Sequence, residues 1–223
     1  MSIPAIILIL LPHLLQGDTN VGPIQLVRTG RLYSNEVLGQ NGNEWYGLFE
    51  TDSGFFLNRT KIIVADSFYA GNGDVYPDIS TDHTCDPLFM VRGIPSIREG
   101  SVQTSFHGMQ FIEPDEHLVL TCSSIMPFIF SGAGERDGYL YHNYTLSVFH
   151  DRRHQILVTR ETAGDEWGEP AIMWAGDLDR DGRIDLLLEL GGKSTSIFSL
   201  FISTAAGDGE LLKQVASFKR VGP

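Results

Sequence analysis

The chain has little sulfur, a shortage of cationic side chains and almost no long apolar run. Its two cysteines, Cys85 and Cys122, allow either one disulfide or two free thiols. They do not form a C-x-x-C pair, which argues against a redox motif or a zinc ribbon. Only 16 Lys and Arg stand against 28 Asp and Glu, a formal charge of −12, and no basic cluster exceeds Arg152-Arg153. A nucleic-acid or anionic-membrane partner therefore has no electrostatic basis. The acidity suits cation binding, although solubility alone also accounts for it. Sustained 3.6-residue periodicity, internal repeats and low-complexity tracts are all missing, as are a G-x-S-x-G elbow and an H-E-x-x-H helix.

The one strongly apolar segment is Ile3–Leu15, interrupted by Pro12. It is short for a membrane span and has the length of a signal-peptide core, with Gly17 as a small residue at a cleavage point. No Lys or Arg precedes Arg28, so the usual basic start is lacking. The reading is a signal peptide over 1–17, export to the periplasm, cell surface or medium, and no membrane span in the mature chain. A buried N-terminal element is the alternative, with an uncleaved anchor as a third.

What remains, 18–223, reads as a single β-rich domain. At 42% hydrophobic and 20% charged residues it can build a normal core. Strands are expected at Ile24–Arg28, Trp45–Glu50, Gly54–Leu57, Lys61–Ala65, Ser101–Phe106, His117–Thr121, Ile125–Phe130, Tyr139–Phe149, Gln155–Thr159, Pro170–Trp174, Ile184–Leu190, Ser196–Ser203 and Leu211–Phe218. Asn41-Gly42, Ser53-Gly54, Asp137-Gly138 and Asp208-Gly209 supply turn chemistry. The stretch from about 67 to 99, rich in Gly, Pro and Asp, reads as a long loop or insertion, and a disulfide from Cys85 would tether it to the Cys122 strand. The glycine-rich run Gly132–Gly138 has no helix after it and reads as a hairpin loop rather than a phosphate site. His150 and His154 fall on a strand and turn, where they point to unrelated places. Trp45, Tyr46, Tyr69, Tyr76, Trp167 and Trp174 fit core packing better than an exposed stacking platform. The expected fold is all-β, a β-sandwich or partly closed barrel-like pair of sheets.

The chemically specific stretch is Trp174–Leu188. Asp177, Asp179, Asp181 and Asp185 occupy positions 1, 3, 5 and 9, with Gly182 at position 6. In a tightly curled loop the odd positions turn inward, and a glycine at 6 permits the positive-φ bend that returns the chain. Four carboxylates and the Arg183 carbonyl then surround one point, which is a hard-oxygen set suited to calcium. At ~5 Å and an effective dielectric of ~20, each uncompensated pair costs roughly 3 kcal/mol. Arg180 and Arg183 offset part of that, and a divalent cation would offset the rest. An EF-hand is disfavoured, because position 12 is Leu188 rather than Glu and the flanks read as strands.

With that spacing, the stretch resembles the D-x-D-x-D-G-x-x-D loops of FG-GAP and VCBS-type repeats, as found in integrin-α-like propellers. The resemblance covers about 20 residues in a single copy and implies a calcium ion held between two β-strands, without implying a propeller. The order of strands after the loop is similar to the tail of exported bacterial proteins to which no reaction attaches. The functional expectation is a non-catalytic exported β protein with one structural calcium, binding an envelope glycan or protein. The alternative is a secreted hydrolase, with glycans as one substrate class, in which the same calcium is structural.

Overall fold

The computed structural model describes residues 24–32, 40–69, 75–123, 126–163, 169–192 and 195–221. The signal peptide expected at 1–17, Trp167 and Ile125 lie outside them. Among the described residues there is no helix, and the strands are β1 (Gln25–Val27), β2 (Gly30–Arg31), β3 (Glu44–Thr51), β4 (Gly54–Tyr69), β5 (Val75–Thr81), β6 (Phe89–Arg92), β7 (Gly100–Phe111) and β8 (His117–Leu120). They continue with β9 (Phe128–Asp137), β10 (Leu140–His150), β11 (Arg153–Ala163), β12 (Ala171–Asp177), β13 (Asp185–Glu189), β14 (Thr195–Ile202) and β15 (Lys213–Val221). No described helix is long and apolar enough to cross a membrane.

The larger sheet runs β1-β6-β3-β4-β7-β12-β13-β14-β15 and curls until β1 lies beside β15, a nearly closed barrel. Its inward face holds one core, built around Trp45, Leu48, Leu57, Phe89, Trp174, Leu200 and Phe218. The second sheet, β11-β10-β9-β8, closes a second core against the outside of the barrel. Phe128, Phe130, Leu146 and Val148 meet Ile172, Ala175, Leu186, Leu188 and Phe201 there. β12 and β13 are thus sandwiched between two cores. Leu187 faces the barrel interior while Leu186 and Leu188 face the second sheet. Burial on both faces explains why this pair reads as near-continuous apolar runs instead of alternating ones.

The described part of the stretch 67–99 is not one long loop. β5 pairs with the outer half of β4, and β6 pairs with both β1 and β3. β5 carries a proline and an aspartate, and β6 is only four residues long, so neither gives a strong periodic signal. The two strands expected at Gly54–Leu57 and Lys61–Ala65 are one. Polar Asn58, Arg59 and Thr60 keep pairing with Gly47, Tyr46 and Trp45, and Asp82 accepts from Thr60 Oγ1 and Lys61 N, both at 2.9 Å. The glycine-rich run lies mostly inside β9, with the turn displaced to Gly138-Tyr139. Cys85 is exposed and Cys122 buried, both as free thiols. His150 and His154 stack on different rings, Phe128 at 4.0 Å and Phe149 at 4.5 Å. Trp45, Tyr76 and Trp174 are core residues.

One glycine fixes the approach of β7 to the end of β12. A Cβ on Gly176 would stand 2.5 Å from the Gln103 carbonyl oxygen and 2.5 Å from Trp174 Cζ2. Both neighbours are held, one by the ladder and the other by a bond from Trp174 Nε1 to Thr104 Oγ1 at 3.0 Å. Gly176→Ala is expected to cost about 1–3 kcal/mol through overpacking, measured as a lower urea midpoint with an unchanged m-value.

Candidate metal centre

The loop at the end of the β12–β13 hairpin places Asp177, Asp179 and Asp185 so that one carboxylate oxygen of each lies within 4.8 Å of the others. All three are buried, at 6%, 6% and 0% exposure. This group could hold a metal ion. Among the described residues no Lys, Arg or His forms an ion pair with any of the three; the nearby pair is Arg183 Nε to Asp181 Oδ2 at 2.6 Å.

The local chain folds around its own carboxylates. Asp177 accepts from the N–H groups of Asp181 and Gly182, each at 2.9 Å. That bond curls the loop, and Gly182 at φ 84° returns it toward β13. Asp185 accepts from Leu178 N and from Ser203 N, both at 2.8 Å, so its two oxygens tie the loop to the start of the β14–β15 turn. Asp179 Oδ2 accepts from the hydroxyls of Thr204 and Ser96, the latter at 3.3 Å. Asp179 Oδ1 is buried with no hydrogen-bond partner. An orphaned, buried carboxylate oxygen is expensive, and the donor set around it consists of oxygens. The residues present therefore fit a hard cation.

Electrostatics agree. Burial first, and then the charge of Asp179, push the Asp185 carboxyl up to about 8 against the opposing Ser203 and Leu178 N–H groups. Burial also raises Asp177; its Gly182 bond works the other way, and the charges of Asp181 and Asp179 add to the rise.

Of the five residues expected in the cage, the structure brings together Asp177, Asp179 and Asp185. Asp181 is turned to Arg183, accepting from its N at 2.8 Å and its Nε at 2.6 Å, and to Ser203 Oγ at 3.0 Å. Arg183 thus enters through its side chain and its N–H. Sequence reading missed Ser96, Ser203 and Thr204. Ser203 was within reach of it: the register pairing Leu186 with Phe201, extended by two residues, sets Ser203 opposite Ile184. Ser96 lies 83 positions from Asp179, and no local pattern marks it.

Comparison of the chain with protein-family models, curated proteins and solved structures finds no match.

In chelator, the raised Asp185 carboxyl makes stability pH-dependent with a definite sign. The native state holds a proton that the unfolded chain, at an ordinary 3.8, releases. This contribution is fully present below about pH 4 and is lost as pH rises through about 8. The urea midpoint of the metal-free protein is expected to fall between pH 5 and 8.5, and Asp185→Asn to flatten that slope.

Proposed function

We propose that the chain is an exported, non-catalytic β protein in which one calcium loop of the FG-GAP/VCBS type hardens the β12–β13 hairpin, for a binding or structural role at the cell envelope. The observation that carries this reading is Asp179 Oδ1, buried and unpartnered inside a trio of buried carboxylates. Protein donors of that kind satisfy it nowhere, and a divalent cation would. Oxygen-only ligands and an irregular loop suit calcium better than magnesium, which demands near-ideal octahedral geometry and keeps its waters. Asp181 and the Arg183 carbonyl are the further ligands proposed from the loop spacing.

Burial of the trio supports a structural ion over one that meets a substrate. The partner in this reading is an envelope glycan or protein, engaged elsewhere on the surface, and residues 1–17 direct export.

Thermal melts of the protein in EDTA and in calcium test the site. At calcium 100-fold above its dissociation constant, stability is expected to rise by about 2.7 kcal/mol. For a domain of this size that is roughly 5–10 °C in Tm. Asp177→Asn with Asp179→Asn should lose the increment, and equimolar magnesium should give less of it. A calcium-independent Tm would overturn the reading.

A further inference from the structure

The acidic loop is attached to a segment that neither its sequence nor its hairpin includes. The connection between β6 and β7, residues 93–99, meets it at two points, and the first residue of β7 at a third. Ser96 Oγ donates to Asp179 Oδ2 at 3.3 Å. Arg180 Nη2 donates to the Arg98 carbonyl at 3.2 Å. Gly100 lies against the same guanidinium, where an added Cβ would stand 2.8 Å from Nη2.

We propose that Arg180 is a latch through which cation occupancy of the aspartate trio holds the β6–β7 connection closed; this rests on the calcium reading above. Asp179 and Arg180 are consecutive, so the position of the carboxylate sets the position of the latch. Without a cation no counter-charge holds Asp179 beside the Asp177 carboxylate, and the repulsion between the two acts on the residue that anchors Ser96. Two features make the closed arrangement costly by itself. Arg180 sits at φ 65°, a left-handed conformation uncommon outside glycine, and its Nε is buried with no partner. Opening the connection gives Nε back to water and so removes the second cost. A bound cation removes the opposing repulsion and tips the balance toward closure. Local opening of this kind needs no global unfolding.

The bond that reports opening is the one the latch holds. Arg98 has an exposed side chain, and its carbonyl, the acceptor for Arg180, belongs to the Arg98–Glu99 peptide that trypsin cuts. The experiment is limited trypsinolysis of the full chain in EDTA and in calcium, with Arg98–Glu99 cleavage followed by mass spectrometry and calcium binding measured by calorimetry. Arg180→Gly is the second protein, since glycine accepts the positive φ freely and leaves every aspartate in place. In the wild type calcium is expected to slow cleavage by about tenfold, on the scale of one hydrogen bond to a charged donor. Arg180→Gly is expected to bind calcium and to lose that protection. Calcium binding with no change in wild-type cleavage, or full protection in Arg180→Gly, would overturn the latch and leave the metal site standing. No calcium binding by the wild type would overturn both.

Discussion

The carboxylate of Asp185 sits where two hydrophobic cores meet, and the arrangement around it follows from that location. β13 is enclosed by the barrel core on one side and the second sheet on the other. A polar group at its first residue must therefore find all its partners in protein. Asp185 does so by accepting from Leu178 N and Ser203 N, which fixes the loop on one side and the β14–β15 turn on the other. Two neutral N–H donors satisfy its hydrogen-bonding capacity without neutralising its charge. The excess charge is left to a proton or a cation, and Asp177, buried beside it, faces the same choice. A buried charge without a counter-charge is the costliest element a fold can contain, so the loop sequence is built around resolving it.

Much of the fold was legible because most strands are amphipathic or doubly buried, and both patterns survive in sequence. Trp45–Glu50, Tyr139–Phe149 and Ser196–Ser203 match β3, β10 and β14 to within a residue or two. The illegible segments have physical reasons of their own. β6 takes its pairing from strands far back in the chain, so its stability comes from partners and leaves little local trace, while β5, paired with the neighbouring β4, is obscured by its proline and aspartate. Glycines in β9 likewise signal a turn on propensity alone, whereas pairing with β10 keeps the segment extended.

The site was legible as a loop and incompletely as a constellation. Spacing picked out four aspartates because the backbone curl that converges them is local. It could not separate Asp181 from Asp179, since both sit at inward odd positions. What separates them is tertiary: Ser203 Oγ and Arg183 Nε engage Asp181, while Ser96 and Thr204 engage one oxygen of Asp179 and leave the other bare. Charge compensation is thus distributed unevenly around the loop. Asp181, the most outward of the four, is neutralised by a side chain. The three buried aspartates are not.

That unevenness bears on the kind of role the loop can play. A catalytic metal needs an open coordination position and a path for substrate, whereas Asp177, Asp179 and Asp185 are almost wholly enclosed. Interaction energy at such a site goes into the segments that supply its walls: the β12–β13 hairpin, the β14–β15 turn through Ser203 and Thr204, and the β6–β7 connection through Ser96 and Arg180. The first two are already joined by the β13–β14 ladder, whereas the β6–β7 connection lies far away in sequence and is fixed to them through Asp179 and Arg180. A cation placed there would act on the geometry of one end of the barrel as a whole, which is the property a binding surface requires and a local hairpin could not supply.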